Sequence, residues 1–127
     1  MRILIVDDEA LIAQSLQQVL QLLGHDAVCA SHPAAALELQ RTRPADLLLV
    51  DWNMPGGGGI RVLTALTAGE APPAHVIVVT GLPALSLPPE LAGLPVLQKP
   101  FRVRQLLDTI NTAGQVRIGG GRDGEHA

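Results

Sequence analysis

Residues 3–9 read Ile3-Leu4-Ile5-Val6-Asp7-Asp8-Glu9: four apolar residues, mostly β-branched, running straight into three acids. A half-exposed strand would alternate polar and apolar residues. An unbroken apolar run of this length reads as a strand buried on both faces, as in a parallel sheet covered by helices. The same pattern returns along the chain. Leu47 to Val50 stops at Asp51, Val76 to Val79 stops at Thr80, and the shorter Val96–Leu97 stops just before Lys99. Ala27 to Ala30 is a weaker second strand.

Helical spacing fills the gaps. From Glu9 to Leu23, apolar residues recur at Ile12, Leu16, Val19, Leu20 and Leu23, and Gly24 suits the position just past a helix end. Pro33 fits the first position of a second helix continuing from Ala34 to Leu39. Ile60 to Leu66 forms a third, and Val103, Leu106, Leu107 and Ile110 mark the last. The four glycines Gly56 to Gly59 read as a flexible loop, and Gly69 to Pro73 as a turn. Prolines at 83, 88 and 89 interrupt the bond ladder that a regular fourth helix needs, leaving at most a fragment around Pro89 to Leu91.

Strand and helix thus alternate five times, which requires an α/β fold with a parallel sheet. Right-handed crossovers and this length fit a flavodoxin-like doubly wound five-stranded sheet in the order 2-1-3-4-5, with a shortened or irregular fourth helix. Residues 1–113 make the domain. Residues 114–127, rich in Gly and charge, read as a flexible tail. In such folds the working site lies beyond the carboxyl ends of the strands, near the switch between the first and third.

The polar residues converge there. Asp7 and Asp8 follow strand one, Asp51 strand three, Thr80 strand four and Lys99 strand five. One acid at a strand end is commonplace; three acids, a hydroxyl and a lysine on one rim are not. Clustered carboxylates repel unless a cation compensates. Mg2+ prefers oxygen ligands and neutralises charge during phosphoryl transfer. Lys99 offers a point charge for a phosphate or carboxylate, Thr80 one donated hydrogen bond, and Asp51 a carboxylate nucleophile able to form an aspartyl phosphate. Taken singly, each has a plainer reading: a helix-capping acidic turn for Asp7 and Asp8, a surface lysine for Lys99, a turn residue for Thr80.

Four stretches carry a family resemblance: ILIVDDE (Ile3 to Glu9), LLLVDWNMPGGGG (Leu47 to Gly59), VIVVTG (Val76 to Gly81) and LQKPF (Leu97 to Phe101). In this order and spacing they resemble the receiver domain of two-component response regulators, over residues 2 to 113. The resemblance implies Asp51 as phosphoacceptor and Asp8 as a direct Mg2+ ligand. Asp7 would act through a metal-bound water, and the Asn53 backbone carbonyl would be a further ligand. Thr80 resembles the switch hydroxyl, and Lys99, before Pro100, the family lysine, in a bond that is often cis. The implied partner is a sensor histidine kinase or a histidine phosphotransfer protein, with a downstream protein partner and a homodimer left open. Two features depart from the family: Val96 stands where an aromatic is usual, and residues 81–95 are short and proline-rich. They look more like receivers of hybrid kinases or single-domain relatives. The alternative is a phosphorylation-independent pseudo-receiver that docks or dimerises.

Other classes fit poorly. At 127 residues and 47% apolar, the chain supports a real core without staples. A formal charge of −3 gives no basic footprint for nucleic acid or for a membrane surface. The single cysteine, Cys29, excludes an internal disulfide and reads as a small buried hydrophobe. With no signal-peptide pattern and no apolar run long enough to span a bilayer, a cytoplasmic location is expected. A nucleotide-binding module would want glycines, not Asp7-Asp8-Glu9, after strand one. A phosphatase of the aspartyl-phosphate type would want its nucleophile on strand one and a cap. Trp52 reads equally as a partner contact or a loop cover, Phe101 as an anchor for the last helix, and His25, His32, His75 and His126 as structural or surface residues.

Overall fold

A computed structural model describes residues 1–81 and 93–113. The elements in chain order are β1 (Arg2–Val6), α1 (Ala10–Leu22), β2 (Asp26–Ala30), α2 (Pro33–Thr42), β3 (Leu47–Asp51), a 3-10 turn (Pro55–Gly57), α3 (Gly58–Thr67), β4 (His75–Thr80), β5 (Val96–Gln98) and α4 (Val103–Ala113). All strand pairs are parallel, and the order is β2-β1-β3-β4-β5, as the alternation of elements predicts. The expected fourth-helix fragment at 89–91 and the tail from 114 lie outside the described residues.

Alternate side chains of the buried strands point to opposite faces, and each face has its own core. Ile3, Ile5, Leu47, Leu49, Ile77 and Val79 pack with Ala13 and Leu20 of α1 and Leu106 and Ile110 of α4. Leu4, Val6, Leu48, Val50, Val76 and Val78 pack with Ala36 of α2 and Val62 and Leu66 of α3. The fully buried Leu, Ile and Val among them contribute roughly 1.5–3 kcal/mol each. Cys29 is half-buried, its Sγ donating to the Ala13 carbonyl at 3.3 Å and Gln17 Oε1 at 3.2 Å. Phe101 packs against the α1 and α4 core as expected, and Trp52 is half-buried against the other.

Register puts the rim in place. Val6 pairs with Val50, and Asp51 with Val79. Asp7, Asp51 and Thr80 therefore emerge side by side where three adjacent strands end. His75 opens β4 at the opposite end, with its backbone N–H donating to the Asp46 carbonyl at 3.0 Å.

The glycine-rich stretch departs from the expected flexible loop. Gly56 and Gly57 do adopt left-handed φ values of 68° and 70° in the 3-10 turn. Gly58 and Gly59, however, are buried and begin α3. A Cβ on Gly59 would lie 2.7 Å from Trp52 Cα and 2.9 Å from the Asp51 carbonyl oxygen. Here glycine serves close packing of a helix start against the strand, which outweighs its low helix propensity. The second helix also runs past Leu39 to Thr42, its N-terminus capped by His32 Nδ1 accepting from the Ala35 amide at 3.3 Å.

Candidate functional site

The two buried acids of the rim are held by the same local device. Asp7 Oδ1 accepts from the Glu9 amide at 2.9 Å, and Asp51 Oδ1 accepts from the Asn53 amide at 3.0 Å. Each is an aspartate bonding its own backbone two residues on, which turns the chain as it leaves the strand. One oxygen of each carboxylate is thereby fixed. The other oxygens share a cation: Lys99 Nζ lies 3.3 Å from Asp7 Oδ2 and 3.5 Å from Asp51 Oδ2. Lys99 is itself placed by its backbone N–H, which donates to the Thr80 carbonyl at 2.8 Å, and is followed by a cis bond to Pro100.

Asp8 is exposed, while Asp7 and Asp51 are 3% and 4% exposed. One carboxylate oxygen from each of the three lies within 4.8 Å of the others. Thr80 is fully buried, and its Oγ1 donates to Asn53 Oδ1 at 2.8 Å. The Gly81 amide donates to the same oxygen at 3.0 Å. All six residues singled out in the sequence, Asp7, Asp8, Asp51, Asn53, Thr80 and Lys99, therefore gather on one rim.

Burial pushes the Asp51 carboxyl above its ordinary range. The Asn53 amide opposes that shift, the Asp7 charge adds to it, and Lys99 opposes it again. For Lys99, burial is the largest single influence and acts downward. The carboxylates of Asp51, Asp7 and Glu9 together outweigh it and hold the ammonium above its usual value.

One ammonium thus faces Asp7, Asp51 and Glu9, with Asp8 close by, and the rim keeps excess negative charge. Three carboxylates within mutual ligand distance, all hard oxygen donors and one of them open to solvent, fit a partly hydrated divalent cation such as Mg2+.

Sequence reasoning missed two participants. Glu9 Oε1 stands 3.6 Å from Lys99 Nζ, and its place directly after the acid pair was the available signal. Gly59 lets α3 approach the end of β3, and the run of glycines concealed that packing role.

Residues 3–111 match the response regulator receiver domain family. Among curated proteins, the chain is 34% identical over 119 residues to the positive alginate biosynthesis regulatory protein of Pseudomonas aeruginosa. That match covers 91% of this chain and 48% of the relative. It is 31% identical over 116 residues to the sensory/regulatory protein RpfC of Xanthomonas campestris, covering 87% of this chain and 16% of RpfC. The chain thus spans less than half the length of these relatives. Among solved structures, it resembles response regulator protein TrrA of Thermotoga maritima in complex with Mg2+ and BeF. The TM-score is 0.76 at 25% identity, over 88% of this chain and 97% of that one. With the family match spanning nearly the whole described fold, and with the sheet order in agreement, the chain belongs to the response regulator receiver domain family.

Proposed function

We propose that this chain accepts a phosphoryl group on Asp51 from a phosphohistidine of a sensor histidine kinase or histidine phosphotransfer protein, in a Mg2+-dependent reaction. The phosphoryl group then switches the conformation of the domain or passes onward in a relay. The observation that carries this reading is the asymmetric tethering of Asp51. One oxygen is fixed by the Asn53 amide, and the other faces Lys99, with Asp7 and Asp8 within ligand distance.

In this reading Asp51 Oδ2 attacks phosphorus as the bond from phosphorus to the donor's imidazole nitrogen breaks, and the electron pair leaves with the imidazole. Lys99 holds a phosphoryl oxygen afterwards, and Thr80 is the hydroxyl donor nearby. Asp8, Asp51 and the Asn53 carbonyl would hold Mg2+, with Asp7 acting through water. The bound ion would supply charge neutralisation for the transferring group. The likeness to TrrA, whose structure was solved with Mg2+ and BeF, supports that assignment. The likeness to RpfC supports a partner from the sensory side of such systems. No described helix is long and apolar enough to cross a membrane, in keeping with a proposed cytoplasmic site of action.

Val96 is half-buried in β5, where an aromatic would act as a swinging reporter of phosphorylation. A valine has too little reach for that, so the output of the switch must use another element. The domain boundary at 113 is proposed on the same reading.

The test uses phosphoramidate, a small donor with a phosphorus–nitrogen bond, in the presence of Mg2+. Borohydride reduction converts an acyl phosphate at position 51 to homoserine, which peptide mass mapping detects. A phosphoryl group at another residue, or none in a chain that binds Mg2+ and also fails to bind beryllofluoride, contradicts the reading.

A further inference from the structure

Asn53 lies between the acceptor and the donors that a phosphoryl group would need. Its backbone N–H holds Asp51 Oδ1 at 3.0 Å. Its side-chain oxygen takes the Thr80 hydroxyl at 2.8 Å and the Gly81 amide at 3.0 Å. A threonine hydroxyl has one proton to donate and a backbone amide has one, while a carbonyl oxygen has two lone pairs. Among the described residues, both donors meet at one oxygen, one for each of its lone pairs. Thr80 is fully buried and ends β4, next to the strand that carries Asp51, while Asn53 and Gly81 are exposed.

From this geometry we infer that the Asn53 carboxamide is a positioning latch: it holds the Thr80 hydroxyl and the Gly81 amide in the unphosphorylated arrangement and sets how readily the switch turns over. The inference rests on the phosphoacceptor reading above and adds the regulation of that site. A phosphoryl group on Asp51 brings new acceptor oxygens to the rim. The Thr80 proton cannot serve Asn53 Oδ1 and a phosphoryl oxygen together, so recruiting it breaks the 2.8 Å bond. Once Thr80 leaves, one of the two bonds that tie the end of β4 to the turn after β3 is lost, and the Gly81 amide alone of the pair still holds Asn53 Oδ1. The contact exists in only one of the two populations, as a switch element must. It also supplies a route from the acceptor to the chain beyond β4 that needs no aromatic at Val96.

Removing the carboxamide destabilises the resting arrangement selectively. Asn53→Leu keeps the bulk of the side chain and its backbone groups but leaves the two donors without that acceptor. The full chain is titrated with beryllofluoride, a mimic of the acceptor-bound phosphoryl group, at saturating Mg2+, with the Mg2+ affinity of each variant measured first. Binding is followed by Trp52 fluorescence and by the nuclear magnetic resonance signals of the Gly81 amide and the Thr80 methyl.

Asn53→Leu should bind beryllofluoride roughly three- to tenfold more tightly than the wild type, the equivalent of one net hydrogen bond. In the free variant, the Gly81 amide signal should already lie shifted toward its position in the loaded wild type. The gain should fall below about twofold in a Thr80→Val background and return with Thr80→Ser, which keeps the hydroxyl. Should Asn53→Leu fail to fold, Asn53→Ala makes the same comparison. Unchanged or weaker binding in a folded variant overturns the latch, as does an equal gain in the Thr80→Val background. A wild type that binds Mg2+ but ignores beryllofluoride overturns the phosphoacceptor reading itself, and the latch with it.

Discussion

Lys99 Nζ lies 3.5 Å from Asp51 Oδ2, although the two residues come from strands that are not neighbours in the sheet. β4 separates them, and Lys99 reaches across its end. The reach is set by the backbone bond from Lys99 to the Thr80 carbonyl, which fixes where the side chain starts. The same ammonium lies 3.3 Å from Asp7 Oδ2, so one cation bridges the ends of β1 and β3. The site therefore has a built-in counter-charge of its own.

Replacing Lys99 with methionine removes that counter-charge and keeps much of the apolar stem. Two nearly buried carboxylates then face each other without their partner. Stability in chelator should fall by about 1–3 kcal/mol, the range for leaving a buried polar group unsatisfied. Because the folded-state pKa of Lys99 is raised, its contribution is present below the ordinary lysine value and is lost as pH rises through the folded one. Urea melts of both proteins at pH 7 and above pH 11 check this: the difference between them should shrink at the higher pH.

Asp51→Asn should act in the opposite direction in chelator. Asp51 has a raised folded-state pKa, chiefly through burial, so the folded state holds its proton more tightly than the unfolded chain. Its stabilising contribution is present below the unfolded value and is lost as pH rises through the folded one. At pH 7 the ionised carboxylate is a net burden, and the asparagine variant should melt higher than the wild type. The gap should close in acid, where Asp51 is protonated in both states. Thermal melts across pH 3 to 7 make the comparison.

Mg2+ should reverse that order. A ligand that binds only the folded state stabilises it by about 2.7 kcal/mol at one hundred times its dissociation constant. The wild type should therefore gain stability with Mg2+, while Asp51→Asn gains much less. Asp8→Asn alters an exposed side chain. In chelator it should change stability by less than about 0.5 kcal/mol. Its Mg2+-dependent rise should nevertheless be largely lost, as calorimetric scans with and without the ion would show.

Gly59→Ala tests the packing of α3 against the end of β3. The three atoms nearest the added Cβ would be backbone atoms of Asp51 and Trp52, which cannot rotate away. Overpacking of this kind costs roughly 1–3 kcal/mol. The shift should also move the Asp51 carboxylate, so phosphoryl uptake should fall more than stability alone explains. A variant as stable and as readily phosphorylated as the wild type would show that α3 stands off from the strand.

Much of this was legible in the sequence, for identifiable reasons. Strands such as Ile3 to Val6 and Leu47 to Val50 are buried on both faces, so each reads as a short unbroken apolar run, and each run stops at an acid. Their ends locate Asp7, Asp51 and Thr80 once the sheet order is known. The helix starting at Gly58 was hidden because glycine propensity argues for a loop, while the deciding factor is distance to Trp52, a tertiary quantity. Glu9 was hidden because its approach to Lys99 depends on the turn that Asp7 makes. The bond from Thr80 to Asn53 joins the ends of two strands, and nothing in residue spacing encodes which way a carboxamide turns.

The most direct measurement is the intact mass of the chain after incubation with Mg2+ and a small acyl-phosphate donor, beside Asp51→Asn and an excess-chelator control. The account predicts one added phosphoryl group on the wild type and none in either control. An adduct that persists in Asp51→Asn would contradict it. So would a wild type that gains no phosphoryl group and also fails to bind beryllofluoride, which would leave the chain as a docking module.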